Sequence, residues 1–148
     1  MTGKTAYQPA GYQSVIPYIH STNAVKLITF MKEVFDAKEI AVYPRPDGTV
    51  GHAAFRIGDS VVELADGGAD WPAMPCAMQV YVPDTDATYA RALKAGATTL
   101  QPPATQFYGD RAASVRDSGG NHWYIASQVE VVSKEEVDKR IAAMSQQK

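Results

Sequence analysis

The sequence predicts an α+β protein made of two tandem βαβββ modules, with helices outside a curved mixed sheet and one further helix near the C-terminal end. Three observations carry that prediction. Strand-like and helix-like hydrophobic periodicities alternate in the same order twice. Turn-forming clusters separate the strands at matching places in both halves. The internal offsets also agree: Asn23 and Asp84 each follow a strand and open a helix, and Glu63 and Tyr124 each lie in the last strand of their half. The differences 84 − 23 and 124 − 63 are both 61, longer than the period of a solenoid repeat.

Residues 15–19 read as the first strand, short, apolar and β-prone. Ser21, Thr22 and Asn23 offer side-chain oxygens for an N-cap. Leu27, Ile28, Met31, Val34 and Phe35 then recur at helical spacing, which predicts an amphipathic helix over 23–35. Strands follow at 39–43, 51–57 and 60–65. Between the first two of these, PRPDGT (44–49) is turn chemistry, and Gly58-Asp59 suits a two-residue hairpin. GGADWPAMP (67–75), with its paired glycines and prolines, reads as a linker between module one (13–66) and module two (76–128).

The second half repeats the order. A strand at 78–82 leads to a helix capped by Asp84 that runs to Lys94 and Ala95, with Gly96 at the left-handed C-terminal position. A strand at 98–101 precedes an irregular stretch, PPATQFYGD. Strands at 112–115 and 123–127 flank the turn cluster DSGGN. Ser133, with Glu136 three positions on, gives a capping box for a final helix over 133–145. Val137, Ile141, Ala142 and Met144 lend that helix one modest apolar face.

A chain of 148 residues fits one domain with a core of its own. The formal charge of −2 leaves no basic footprint, which argues against nucleic acid as a partner. Cys76 is the only cysteine, so neither a disulfide framework nor a thiol-rich zinc site is expected. Residues 1–14 lack the apolar core of a secretion signal, and no apolar run reaches membrane-span length. A cytoplasmic protein with no membrane partner is the expectation.

In the first half stand VIPYIHSTNAVKLITFMKEVF and DGTVGHAAFRIGDSVVELAD, and in the second MQVYVPDTDATYARALKAGA and QFYGDRAASVRDSGGNHWYIAS. In order and spacing they resemble the PhnB-like branch of the vicinal oxygen chelate (glyoxalase/bleomycin-resistance/dioxygenase) superfamily, across about residues 13–128. The resemblance implies a curved, barrel-like sheet enclosing a cleft, often within a homodimer. In metalloenzyme members it implies four ligands, His or Gln early and Glu late in each module. There a divalent ion binds two neighbouring substrate oxygens as a Lewis acid.

Carried over residue by residue, those four positions fall on Ile16, Ala77, Glu63 and Tyr124. Ile16 and Ala77 lie seven residues before Asn23 and Asp84. Only Glu63 keeps a ligating side chain, so no cofactor is expected. The alternative is a divalent metal such as Zn, Ni, Mn or Fe on an atypical set of His52, Glu63 and His122. Strand parity bears on that set. With Gly58-Asp59 as the turn, Glu63 faces Ala54 and His52 faces Ala65, so His52 and Glu63 share a sheet face. Parity likewise aligns Tyr18 and His20 with Ile16, and His122 with Tyr124.

Each of these residues also has a bland reading. His52 and His122 serve equally as structural strand histidines. Glu63, among Val61, Val62, Leu64 and Ala65, either faces solvent, pairs with Arg56 or Arg111, or serves a ligand. Enclosed in an apolar cleft, it would titrate high and act as a general base. Phe107, Tyr108 and Trp71 sit on loops that either overhang the cleft or pack against the linker and the last helix. The expected function is therefore metal-free binding of a small, partly aromatic molecule by Ile16, Tyr18, His52, Glu63, Tyr108, His122 and Tyr124. The alternative is a lyase, isomerase or dioxygenase-type enzyme with Glu63 as base or an atypical metal.

Overall fold

The computed structural model describes residues 5–147; of the segment weighed as a secretion signal, residues 1–4 lie outside it. The element order is β1 (Tyr18–Ser21), α1 (Ala24–Phe35), β2 (Lys38–Pro44), β3 (Val50–Ile57), β4 (Ser60–Asp66), β5 (Ala77–Tyr81), α2 (Thr85–Lys94), β6 (Thr98–Thr105), β7 (Asp110–Arg116), β8 (His122–Gln128) and α3 (Lys134–Ser145). The chain divides into two compact units between Pro75 and Cys76. Each unit contains one four-stranded mixed sheet, ordered β1-β4-β3-β2 in the first and β5-β8-β7-β6 in the second. The α+β class and the repeated βαβββ order are those the sequence predicts. No helix among the described residues is long and apolar enough to cross a membrane.

The repeat extends to hydrogen-bonded register. The parallel ladder between first and last strand aligns Tyr18 with Glu63 in one unit and Gln79 with Tyr124 in the other. Both partners shift by 61, since 79 − 18 equals 124 − 63. The hairpins differ. Gly58-Asp59 closes β3 onto β4 with Ile57 opposite Ser60, whereas Arg116 faces His122 across a longer loop.

One face of each sheet is dry. In the first unit Ile19, Ala53, Phe55, Val62 and Leu64 are all buried and share a face by register. Leu27, Phe30, Met31, Val34 and Phe35 of α1 are buried too, and α1 packs on β1, β3 and β4. In the second unit Val115, Trp123 and Ile125 are fully buried against α2, which contributes only the small residues Thr85, Thr88 and Ala92. Withdrawing each large side chain from water contributes about 2 kcal/mol or more.

Both first helices begin as the sequence suggests. The Asn23 and Asp84 side chains accept hydrogen bonds from the Lys26 and Ala87 amides, each three residues on. Behind each cap the helix start is tied to the sheet by different chemistry. The Asp66 carboxylate accepts from the Ala24 amide and from the Val50 amide, joining α1 to the start of β3. Its counterpart 61 residues on is Ser127. There Thr85 Oγ1 lies 2.9 Å from Ser127 Oγ and donates to the Arg111 carbonyl, joining α2 to β7.

Three expectations are corrected. The first strand starts at Tyr18, not residue 15: Pro17 has no amide to donate, and Val15 is 84% exposed. The chain before it is held differently, by Gln13, whose side-chain amide both donates to the Val61 carbonyl and accepts from the Val61 amide. Next, β6 does not stop at residue 101 but continues through Pro102 and Pro103 to Thr105. It is an edge strand, where a missing N–H is tolerated, and the ladder shifts register around the prolines. Finally, the capping box at α3 is half made. Ser133 accepts from the Glu136 amide, but the Glu136 carboxylate turns to Arg140.

The DSGGN turn is organised by one buried carboxylate. Asp117 accepts hydrogen bonds from the Gly119 and Asn121 amides, the Asn121 side chain and the Trp123 indole N–H, all at 2.9 to 3.0 Å. Asn121 in turn accepts from the Cys76 amide, so the turn also fixes the entry to β5. Leaving such donors buried and unpaired costs about 1–3 kcal/mol each before relaxation. Asp117→Ala should therefore lower the unfolding free energy by about 3–4 kcal/mol in urea titration. A loss under about 1 kcal/mol would mean that this carboxylate does not organise the turn.

Candidate functional site

The face of the first sheet away from α1 gathers the polar and aromatic groups. Ala54 pairs with Glu63, and Tyr18 pairs with Glu63 from the other side, so Tyr18, Glu63, Ala54 and His52 alternate onto one face. Tyr43 pairs with His52 and extends the row. The Tyr18 hydroxyl lies 3.1 Å from His52 Nδ1, and the Tyr43 ring stacks on His52 at 6.2 Å and 23°. Burial first, then the Glu63 carboxylate, pushes the Tyr18 hydroxyl above its ordinary value, while Arg45 pulls it down. Tyr18 thus keeps its proton across the neutral range.

Glu63 is half-buried in the middle of this row, and the partners weighed for it are engaged elsewhere. Arg56 donates to the Gly11 carbonyl, and Arg111 forms a two-pronged ion pair with Asp86. Among the described residues the Glu63 carboxylate makes no ion pair. Ile16, also half-buried, lies before the strand, so Tyr18 rather than Ile16 stands beside Glu63.

At the end of the row, His20 is roofed by Trp71, their rings stacked at 6.0 Å and 9°. The Met74 amide donates to the His20 carbonyl, drawing the segment 71–74 over β1. Nδ1 of His20 is buried and has no hydrogen-bond partner among the described residues. Trp71 therefore covers a strand histidine rather than an empty recess.

The matching face of the second sheet carries Gln79, Tyr81, Tyr124 and His122. His122 Nε2 lies 3.4 Å from the Arg116 guanidinium, beside it across β7–β8. Tyr124 is 43% exposed and lines a recess of about 150 Å³ together with Tyr108, Gln79, Gln101 and Asp110. Tyr108 meets Phe107 edge-on at 5.1 Å, and the Phe107 carbonyl accepts from Arg140 of α3. Of the two aromatic loop residues, one faces the recess and the other helps anchor the last helix.

The motif QFYGDR now has a local account. Gly109 has φ +103°, and a side chain there would collide with the Glu130 carbonyl. Its own carbonyl accepts from the Val129 and Glu130 amides, docking the exit of β8. Asp110 and Arg111 point to opposite faces. Arg111 reaches Asp86 on α2 and holds its carboxyl below the usual range, while Asp110 turns to the recess and accepts from the Tyr81 hydroxyl at 2.9 Å. Sequence reasoning missed Tyr81 and Asp110. The signal available was an acid opening a strand, one residue past the glycine of QFYGDR.

The four positions at which the resemblance implies metal ligands do not fit a divalent ion. Ile16 and Ala77 have no donor atom, Tyr124 offers only a phenol oxygen, and Glu63 is the only carboxylate of the four. Among the described residues no three His, Cys, Asp or Glu side chains gather as a metal-holding group. His52 and Glu63 share a face of the first unit, and His122 belongs to the second.

Comparison with known proteins agrees with the fold. The sequence profile of the Glyoxalase/Bleomycin resistance protein/Dioxygenase superfamily matches residues 21–125. An uncharacterized protein of Mycobacterium bovis is 35% identical over 142 residues, covering 88% of this chain and 91% of its own. TioX from Micromonospora sp. ML1 shares the fold with a TM-score of 0.67 at 23% identity, over 78% of this chain and 98% of its own. The PhnB protein from Bacillus cereus does so with a TM-score of 0.61 at 16% identity, over 78% and 99%.

The buried, unpartnered nitrogen of His20 makes a testable liability. His20→Phe keeps a ring beneath Trp71 and removes the unsatisfied nitrogen, so stability should rise by roughly 1 kcal/mol in urea denaturation. A clear fall in stability would reveal a partner for Nδ1.

Proposed function

The chain belongs to the glyoxalase/bleomycin resistance protein/dioxygenase superfamily, and on that footing we propose that it binds a small ring-bearing molecule without a metal ion. The observation that carries this reading is the row of Tyr18, His52 and Tyr43 on the free face of the first sheet, with ring centroids 5.8 and 6.2 Å apart. Such a surface offers flat apolar area with polar edges, which suits a planar ligand carrying one or two hydrogen-bonding groups. The Tyr18 hydroxyl and His52 supply those partners. Tyr108 and Tyr124 repeat the theme on the second sheet.

A second reading rests on Glu63. Its carboxylate has no ion-pair partner among the described residues and stands beside Tyr18, whose hydroxyl keeps its proton. That pairing suits a general base next to a general acid, as in a lyase or isomerase. Glu63 would accept a substrate proton, and Tyr18 would donate to the oxygen that gains charge.

The two readings part on one experiment. 2-Naphthol titrated against the protein should quench Trp71 fluorescence saturably, with Trp71→Phe identifying the reporter. Tyr43→Ala and Tyr18→Ala should each weaken binding about tenfold, the loss of one stacking partner of roughly 1.4 kcal/mol. Glu63→Gln should leave it within about twofold. Unsaturable quenching, or full affinity in both tyrosine variants, would overturn the binding reading. Substrate turnover abolished by Glu63→Gln with naphthol binding intact would establish the enzymatic one.

A further inference from the structure

The recess in the second unit contains a feature that ring stacking does not require. Asp110 is only 6% exposed, yet its carboxylate lines a recess of about 150 Å³. A carboxylate this far out of water is stable when a cation or several donors compensate it. Here one donor does so, the Tyr81 hydroxyl at 2.9 Å. Among the described residues no lysine, arginine or histidine forms an ion pair with Asp110.

The neighbouring cations are committed elsewhere. Arg111 pairs with Asp86 on the helix side of the sheet. Arg140 is shared between Glu130 and Glu136, and Arg116 donates to His122. The walls of the recess are neutral and rich in acceptors: Gln79, Gln101, Tyr108 and Tyr124. The two tyrosines are 45% and 43% exposed, so part of each ring remains open to a ligand. Cations are attracted to tyrosine faces as well as to carboxylates. The order of the polar groups is also directional. Gln79 bonds to the Tyr81 oxygen and Tyr81 donates to one Asp110 oxygen; among the described residues no donor reaches the other, which is not sealed from solvent.

We infer that the Asp110 recess is a binding site for a small organic cation, a primary ammonium or amidinium group carried on a compact body, with Asp110 as its counter-ion and Tyr108 and Tyr124 flanking it. An ammonium group would occupy the unpaired carboxylate oxygen and use the glutamine carbonyls as further acceptors. A recess of about 150 Å³ suits a single ring with a short aminoalkyl arm. The Tyr81 hydroxyl, raised above its ordinary value first by its bond to Asp110, keeps its proton at neutral pH, where amines are charged. This site goes beyond the ring-binding reading and does not rest on it: Tyr18, His52 and Tyr43 of the first unit carry that reading, whereas Asp110 of the second carries this one.

The test uses benzylammonium chloride and its neutral counterpart benzyl alcohol, followed by calorimetry and by amide shifts of Ala112 and Ala126. Benzylammonium should bind saturably with shifts at those amides, and at least tenfold more tightly than benzyl alcohol. Asp110→Asn keeps an acceptor for Tyr81, removes the charge and turns the second oxygen into an NH2 donor; it should weaken benzylammonium at least tenfold and benzyl alcohol far less. Tyr81→Phe removes the competing donor and keeps the charge, so benzylammonium binding should hold or tighten. Equal affinity for the two probes, undiminished benzylammonium binding in Asp110→Asn, or equal losses in both variants would overturn the assignment. If Asp110→Asn fails to fold, Tyr81→Phe and the probe comparison still decide it. Failure here leaves the 2-naphthol experiment untouched, so the two proposals fall separately.

Discussion

The parallel ladder between the first and last strand of each unit is the constraint on which the rest depends. A strand has two faces, and a one-residue slip in that ladder would exchange them wholesale. With Tyr18 opposite Glu63, Ile19 and Leu64 turn to the helix while Tyr18, Glu63 and His52 turn away from it. With Gln79 opposite Tyr124, Trp123 and Ile125 are buried and Tyr124 is left at a recess. Core and candidate site are two sides of one register.

What holds that register differs between the halves, although the positions are equivalent. In the first unit a charged group does the work, the Asp66 carboxylate accepting two amides. In the second, paired hydroxyls of Thr85 and Ser127 make the tie, and a separate buried acid, Asp117, orders the hairpin loop. The loop that Asp117 orders is longer than the Gly58-Asp59 turn. A two-residue turn with a glycine at positive φ closes through its own backbone, whereas the longer loop has amides that need an acceptor.

Much of this was legible in the sequence because the responsible interactions are local. The offset of 61, the caps at Asn23 and Asp84, and the two-residue turn that fixes Ala54 opposite Glu63 all follow from neighbours in sequence. The parts that were not legible depend on long-range geometry. Nothing near Pro102 and Pro103 says that they occupy a sheet edge, where prolines are tolerated in a strand. Glu136 chooses Arg140 over its own cap because Arg140 is also held by Glu130 and the Phe107 carbonyl. Asp110 meets Tyr81 from 29 residues away, so no local pattern announces the pair. The metal question was the reverse case. The chemical types of Ile16, Ala77 and Tyr124 can be read from the sequence alone, and the structure adds that Tyr18 pairs with Glu63 across the ladder.

A superfamily known for metal sites is here represented by a chain whose corresponding positions hold a hydrocarbon, a methyl group, a phenol and one carboxylate. We propose that the helix-distal face of its first sheet recognises ligands through rings and neutral hydrogen-bonding groups. Elemental analysis of the untagged protein, paired with 2-naphthol affinity before and after dialysis against EDTA, separates this reading from a metal-dependent one. Metal-free binding predicts no stoichiometric divalent metal and the same affinity on both sides of the dialysis. One equivalent of Zn, Ni, Mn or Fe, removed by EDTA together with 2-naphthol binding and restored with it, would overturn it.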